Sequence, residues 1–293
     1  MAFTTTDDGV RLYYEEQGSG TPIVFIHEFA GDHRSWPHQM RYFSRGYRCA
    51  TYGARGYPPS AVPEDPAAYG QHRAADDAVA ILDALGAEKA FFVGNSMGGF
   101  AALHVGLRHP DRVLGIVSSG CGYGAHPDKQ DGFRAESETI AQAFENEGAE
   151  AMSEWYGVGP ARVQYQAKDP RGHAEHVRVL AEHSNLGASL TMRAVQKSRP
   201  SLYDLRDQLA AMSLPLLVIA GDEDDGVLDT DLMLKRTVPR CGLAVLPRSG
   251  HVTNLEEPEL YNRLLESFFT QVEHGGWGPR DPRSISGSTT GAK

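Results

Sequence analysis

The serine at the centre of residues 94–98, Gly-Asn-Ser-Met-Gly, is the residue whose surroundings most clearly suggest chemistry. Four apolar residues (90–93) lead into it, and a helical pattern follows from Phe100. This succession predicts a strand, a sharp turn and a helix with Ser96 at the apex, the arrangement of a nucleophile elbow. The flanking glycines allow strand and helix to approach closely. We expect Ser96 to be a nucleophile; a glycine-rich loop before an ordinary helix is the alternative.

A serine hydroxyl needs an adjacent base, and the base needs a third group to hold it. Of twelve histidines, His251 is favoured because it follows the last strand pattern in a loop that would reach back over the sheet. An acidic turn, Asp-Glu-Asp-Asp at 222–225, follows the preceding strand pattern. We favour Asp224 as the acid, since its place in the turn directs it toward the cleft. Asp222 and Asp225 stay open, and a solvated acidic turn is the alternative for the set.

Attack on a carbonyl carbon creates an oxyanion that needs two aligned N–H donors. The backbone N–H of Met97, directly after the serine, is one candidate. The second should come from the loop that follows the apolar run 23–26, where Phe29 is best placed. A buried loop aromatic without this role is the alternative for Phe29.

The elements that must position these residues alternate between strands and helices up to residue 121, which predicts a mostly parallel sheet flanked by helices. Residues 10–16 indicate an early strand at the edge of that sheet. From 122 to 201 only helical patterns occur. We therefore expect a core of residues 1–121 and 202–273, an inserted helical cap of residues 122–201, and a tail of residues 274–293 that is partly disordered. Trp277 is the expected anchor of the tail.

With these residues the chain resembles the α/β-hydrolase superfamily over about residues 9–272. The matching motifs contain His27, Arg55-Gly56, the serine pentapeptide, Gly-Asp-Glu-Asp at 221–224 and Gly-His at 250–251. Order along the chain also matches, since serine, acid and histidine follow one another as in that fold. The resemblance implies Ser96 as nucleophile, with the base, the acid and the two oxyanion donors at the positions already named. The resemblance is close to that of lid-bearing serine esterases and enol-lactonases.

One residue departs from the family pattern. The family commonly has His-Gly in the oxyanion loop, whereas this chain has His27-Glu28. An ionised carboxylate beside a developing oxyanion would oppose catalysis. Glu28 is therefore a candidate modulator of the site: it either points away to a partner such as an arginine or acts as an extra acid or base.

The function expected from these features is hydrolysis of a small carboxylic ester or lactone by a Ser-His-Asp triad through an acyl-enzyme. One alternative is hydrolysis of a carbon–carbon bond in a ketonic ring-fission product, because the serine motif also resembles that group. Those enzymes usually place tryptophan after the histidine, where this chain has Val252. Another alternative is a small-molecule receptor that retains the triad, since fold does not fix function. Five cap residues are candidates for shaping the acyl pocket, with packing or a surface position as the alternative for each: Trp155, Tyr156, Tyr165, His183 and Arg193.

Composition restricts the partners. The 293 residues are 41% hydrophobic and 23% charged, and the formal net charge is −10. Such a charge disfavours nucleic acid and anionic membranes, so we expect a small-molecule substrate as the partner and leave a homodimer open. The N-terminal residues lack the pattern of a signal peptide, and three scattered cysteines show no metal-binding spacing. We expect a cytoplasmic protein with no cofactor and no metal.

Overall fold

A central eight-stranded sheet organises the protein, whose computed structural model describes residues 2–285. The strands are β1 (Ala2–Thr5), β2 (Arg11–Gln17), β3 (Thr21–Ile26), β4 (Tyr47–Tyr52), β5 (Ala90–Asn95), β6 (Val113–Ser119), β7 (Leu216–Gly221) and β8 (Cys241–Leu246). Their spatial order is β1-β2-β4-β3-β5-β6-β7-β8. β1 and β2 run antiparallel to their neighbours, and the other pairs are parallel. The predicted mostly parallel α/β architecture is confirmed.

The central strands are buried on both faces, which explains their continuous apolar sequences. Successive side chains of a strand point to opposite faces. Val24 and Phe92 thus join the core cluster on one face, whereas Phe25 and Phe91 join the cluster on the other. Helices must cover both faces of such a sheet to exclude water.

Along the chain, the helices of the core come before and after the insertion. Those before it are α1 (Pro37–Phe43), α2 (Gln71–Ala84) and α3 (Met97–Arg108). Helices of the insertion are α4 (Gln130–Asn146), α5 (Gly148–Trp155), α6 (Val163–Lys168), α7 (Pro170–Ala181) and α8 (Asn185–Thr191). Those after it are α9 (Arg206–Ala211), α10 (Asp225–Thr237), α11 (Thr253–Glu256) and α12 (Pro258–Glu273). α3 packs on one face of the sheet through Leu103 and α12 on the other through Phe268.

The insertion, residues 122–201, is described throughout and holds helices and loops without a strand. α8 continues into a π-helical turn, Met192–Lys197, and π-helical turns occur frequently at functional sites. A short 3₁₀ turn, Pro160–Arg162, precedes α6. Residues of both turns line the cavity of the candidate site.

The N-terminal edge of the sheet differs from the sequence prediction. The strand expected over residues 10–16 forms as β2, but its expected place at the edge is wrong, because β1 pairs outside it. β1 has only four residues and alternates between half-buried and exposed positions, which is too short a pattern to read from sequence.

The described part of the tail is attached to the core by Trp277. Its indole Nε1–H donates to the Arg240 carbonyl oxygen at 2.8 Å, and its ring packs edge-on against Phe268 with centroids 4.7 Å apart. The expected disorder near the end of the tail falls on residues 286–293, which lie outside the described residues. Within residues 2–285, no helix combines the length and apolar character that crossing a membrane requires.

Replacing Gly98 by alanine tests how tightly the elbow helix approaches the sheet. A Cβ at this position would lie 2.1 Å from the Ile26 carbonyl oxygen, which is backbone and has no freedom to rotate away. We expect Gly98→Ala to lower the free energy of unfolding by about 2 kcal/mol or more, as overpacking does. Chemical denaturation measures the change.

Gly132→Ala is the matched control, because Gly132 is also helical but has no atom within 4 Å of an added Cβ. It should be neutral or stabilising by up to about 1 kcal/mol, since alanine favours helices. Equal effects of the two substitutions would contradict the close approach.

Candidate active site

Ser96 lies at the apex of a strained strand-to-helix turn. Its backbone has φ 53° and ψ −116°, a left-handed conformation between the last residue of β5 and the first of α3. The turn forms because glycine stands where the two elements meet: a Cβ on Gly94 would lie 2.0 Å from the Gly98 carbonyl oxygen. The Ser96 N–H donates to the Ser119 carbonyl oxygen at 2.7 Å, which ties the apex to β6. The local sequence thus folds into the expected elbow geometry.

His251 and Asp224 contact each other directly. The Nδ1 of His251 lies 2.7 Å from Oδ2 of Asp224, and both side chains are buried. The other carboxylates of the turn, Asp222, Glu223 and Asp225, are exposed. Burial raises the pKa of Asp224, but the charge and hydrogen bond of His251 and the hydrogen bond of Tyr123 outweigh it, so this pKa is lowered. The ionised Asp224 therefore accepts a hydrogen bond from the protonated Nδ1 of His251.

This hydrogen bond leaves Nε2 of His251 as the ring nitrogen available to a nucleophile. Ser96 and His251 line the same cavity. Within residues 2–285 no hydrogen bond joins the Ser96 Oγ to the ring. Such bonds are often long without substrate and shorten only when substrate binds. The arrangement can therefore move a proton from Ser96 toward His251 once a substrate fills the cavity.

The loop after β3, which carries the candidate oxyanion donor Phe29, is held by His27, whose buried ring has a lowered pKa because burial disfavours its charge. Its Nε2 accepts the Ala54 N–H at 3.0 Å, so Nδ1 carries the proton and donates to the Glu28 carbonyl oxygen at 2.7 Å. In a trans peptide the C=O and the following N–H point in opposite directions. Since the Glu28 carbonyl points to His27, the Phe29 N–H points away from it. Tyr57 fixes the next peptide by donating to the Phe29 carbonyl oxygen at 3.1 Å.

Met97, the other oxyanion candidate, is the first residue of α3. Its N–H has no acceptor one turn earlier in the helix and belongs to the positive end of the helix dipole. Met97 packs in the same apolar cluster as Phe29, so the two candidate donors come from adjoining segments. The ring of Phe29 packs edge-on against Tyr156, which lines the cavity.

Glu28 is 3% exposed and faces an arginine of the insertion. Its Oε2 lies 2.6 Å from Nη2 of Arg162, and its Oε1 lies 3.3 Å from Nε2 of His176. Burial raises the pKa of Glu28, but the charge of Arg162, followed by that of His176, reverses the shift and lowers the pKa to about 2. Glu28 is thus ionised and paired with an arginine, as in the interpretation that it points to such a partner.

The cavity has a volume of about 310 Å³ and lies between the insertion and the ends of the strands. Its wall is largely aromatic and aliphatic, and the residues involved are Tyr123, Phe133, Ile140, Trp155, Tyr156 and Met192. Of the five cap residues named from sequence, Trp155 and Tyr156 line the cavity, whereas Tyr165, His183 and Arg193 do not. Two arginines, Arg162 and Arg199, also reach the wall. Such a volume suits a small organic substrate.

Three residues near the site were missed by sequence reasoning. Tyr123 donates its hydroxyl to Oδ1 of Asp224 at 2.9 Å and packs edge-on against the His251 ring. Glu256 accepts the N–H of Gly250 at 2.7 Å and that of Val252 at 3.1 Å, which holds the peptides on both sides of the histidine. Arg162 is the third. The position of Glu256 five residues after His251 was a usable signal, whereas Tyr123 and Arg162 carried none.

Known proteins resemble the chain over most of its length. A family model described as alpha/beta hydrolase fold matches residues 21–258. The relative 3-oxoadipate enol-lactonase 1 of Acinetobacter baylyi is 28% identical over 252 residues, which cover 86% of this chain and 89% of the relative. A solved esterase from Thermogutta terrifontis has a TM-score of 0.81 at 23% identity, covering 92% of this chain and 98% of that one. A solved enzyme described as degrading N-acyl homoserine lactones has 30% identity and a TM-score of 0.73, covering 91% and 100%.

Metal ligands are not gathered anywhere in the described residues. No group of three or more histidine, cysteine or acidic side chains within 2–285 could hold a metal ion. The three cysteines are all buried, and the pKa of Cys121 is raised to about 12 by burial.

The pH dependence of stability tests the environment of His176. Burial lowers the pKa of this histidine to about 4, with the opposing charge of Glu28 too weak to restore it. Between pH 6.5 and 4 the unfolded chain therefore binds more protons at this residue, so stability falls as the pH falls. We expect the parent to lose about 2 kcal/mol more than His176→Gln between pH 7 and pH 5, measured by denaturant unfolding.

His274→Gln, which replaces an exposed histidine, serves as the control and should follow the parent within about 0.5 kcal/mol. If the free energy of unfolding of His176→Gln depends on pH as steeply as that of the parent, the histidine does not remain neutral in the folded protein.

Proposed function

The chain belongs to the α/β-hydrolase fold family, and from its site we propose that it hydrolyses a small carboxylic ester or lactone with Ser96 as nucleophile. It is a hydrolase of that fold, as its sequence resemblance implies. The observation that carries the proposal is the 2.7 Å contact between His251 and Asp224 beside a cavity that Ser96 also lines. A base held by an ionised acid next to a serine on a strained turn supports nucleophilic catalysis.

In the proposed reaction, the Ser96 Oγ attacks the carbonyl carbon while His251 Nε2 accepts the hydroxyl proton. Asp224 holds the ring in the required tautomer and stabilises the imidazolium without becoming protonated. Collapse of the tetrahedral intermediate expels the alkoxide, which takes the proton from His251, and leaves an acyl-enzyme. Water then attacks the acyl carbon and gives a proton to His251. Collapse of the second tetrahedral intermediate releases the carboxylic acid, and the Ser96 Oγ takes the proton back from His251. A lactone reacts identically, with its alkoxide still attached to the acyl chain.

Two backbone N–H groups, those of Met97 and Phe29, are the proposed oxyanion donors. The negative charge appears on the carbonyl oxygen only in the transition state and the intermediate, so donors fixed in advance lower the barrier. His27 and Tyr57 support the Phe29 donor by fixing the peptides on both sides of that residue. Loss of one oxyanion donor costs about 3 kcal/mol in other hydrolases.

The proposed substrate class follows from the cavity and from the relatives. The largely apolar wall and small volume favour a compact acyl group or ring. Relatives named as an enol-lactonase and a lactone-degrading enzyme support a lactone or ester rather than a larger substrate. That the partner is a small molecule, and that the protein works in the cytoplasm, stay predictions.

Burst kinetics with 4-nitrophenyl acetate test the nucleophile. We expect release of one equivalent of 4-nitrophenol followed by steady turnover, because acylation precedes a separate deacylation. Ser96→Ala should lower kcat by at least about 10⁴-fold, since the covalent route is lost.

Ser267→Ala, an exposed serine on α12, is the control and should match the parent. A single equivalent released without further turnover would favour the receptor alternative. Turnover that survives in Ser96→Ala would exclude this serine as the nucleophile.

Asparagine substitutions of two carboxylates in the acidic turn test which of them acts as the acid of the triad. Asp224→Asn should lower kcat by about 10⁴-fold, because an amide facing Nδ1 favours the wrong tautomer of His251. Asp225→Asn is the matched control: its side chain is exposed one residue further along, and its kcat should stay within about 3-fold of the parent. Comparable losses in both variants would contradict the assignment of Asp224.

A further inference from the structure

The buried pair between Glu28 and Arg162 joins the insertion to the oxyanion loop. Glu28 directly precedes Phe29. Its Oε2 accepts two hydrogen bonds, one from Nη2 of Arg162 at 2.6 Å and one from the Ala30 N–H at 3.3 Å. The carboxylate therefore spans the peptide units around Phe29 and connects them to the turn Pro160–Arg162. Both side chains are at most 4% exposed, so water hardly screens their interaction.

The same short segment of the insertion, residues 160–168, also contacts the loops that carry the other site residues. The Ala161 carbonyl oxygen accepts the His251 N–H at 3.4 Å. Gln164 donates to Glu223 at 2.6 Å, next to Asp224. Lys168 donates to the Ser249 hydroxyl at 2.9 Å. The segment thus contacts the oxyanion, acid and histidine loops at once, and Arg162 provides the deeply buried member of this set.

Charge explains why an arginine is needed at this point. Groups that face Glu28 come from several elements: Arg162 and His176 from the insertion, His27 and Tyr57 from the core loops, and His251, Tyr156 and His183 further around it. Burial keeps His176 and His183 neutral at pH 7, with pKa values of about 4 and about 3. Arg162 is therefore the permanent positive charge beside Glu28 in this group.

We propose that Arg162 is a positioning residue for the hydrolytic reaction. By pairing with Glu28 it fixes the loop that carries the Phe29 N–H and neutralises a carboxylate that would otherwise repel the developing oxyanion. The inference rests on the proposed function, because it assigns Arg162 a role in the same reaction. It also gives the insertion a part in assembling the site beyond covering the cavity.

Arg162→Met tests the role through kinetics with 4-nitrophenyl acetate. An interaction that matters in the transition state changes kcat more than KM. We expect kcat to fall by about 100-fold, a loss like that of one oxyanion donor, with KM within about 3-fold of the parent. Without the arginine, burial raises the pKa of Glu28. The variant should therefore show an additional decrease in kcat as the pH rises through that pKa, which the parent lacks.

Two further variants separate positioning from folding. Glu28→Gly combined with Arg162→Met removes both charges and restores the His-Gly pair common in the family. In this double variant kcat should recover to within about 10-fold of the parent. The additional decrease in kcat at rising pH should disappear. Arg162→Lys keeps the positive charge and should retain more activity than Arg162→Met. A thermal unfolding curve of each variant gives its folded fraction at the assay temperature, and kcat is normalised by that fraction.

The outcomes distinguish the inference from the proposed function. An inactive parent would reject the proposed function itself. An active parent whose Arg162→Met variant keeps the normalised kcat and pH profile would overturn the positioning role alone. Equal losses in the single and double variants would overturn the neutralising part of the role, because the unpaired carboxylate would then not be the cause.

Discussion

The close approach of β3, β5 and α3 is the constraint on which the candidate site depends. A Cβ on Gly94 would collide with the Gly98 carbonyl oxygen, and one on Gly98 would collide with the end of β3. Only glycine permits this spacing, which forces Ser96 into its left-handed conformation and begins α3 immediately after it. The same contact brings the end of β3, and with it the loop that carries Phe29, beside Ser96. The proposed nucleophile and the proposed oxyanion donors are thus neighbours because backbone, not side chains, packs there.

Around this backbone arrangement the protein buries several ionisable groups, each made tolerable in a different way. Asp224 stays ionised because His251 and Tyr123 hydrogen-bond to it. Glu28 stays ionised because Arg162 faces it. His27 and His176 avoid the cost of burial by staying neutral, which their lowered pKa values express. Pairing and neutrality are the two means by which a low-dielectric interior accepts such residues.

The insertion contributes more than a cover over the strands. It supplies most of the apolar wall of the cavity, including Trp155, Tyr156 and Met192. Its segment 160–168 contacts the loops of the oxyanion candidates, the acid and the histidine. A rearrangement of the insertion would therefore change the cavity and the loops together, because the same residues contact both.

The sequence by itself determined the α/β architecture, the elbow at Ser96 and the order of serine, acid and histidine, because these follow from local patterns: apolar runs, glycine spacing and loops after strands. It favoured Asp224 in the acidic turn but left Asp222 and Asp225 open, and only the fold decided that Asp224 contacts His251 while its neighbours face solvent. It offered an arginine as a partner for Glu28 without identifying it. Arg162 lies 134 residues away, and no local pattern records a pairing made by folding one segment over another. Periodicity reports which residues are buried, whereas tertiary structure alone decides which buried charges meet.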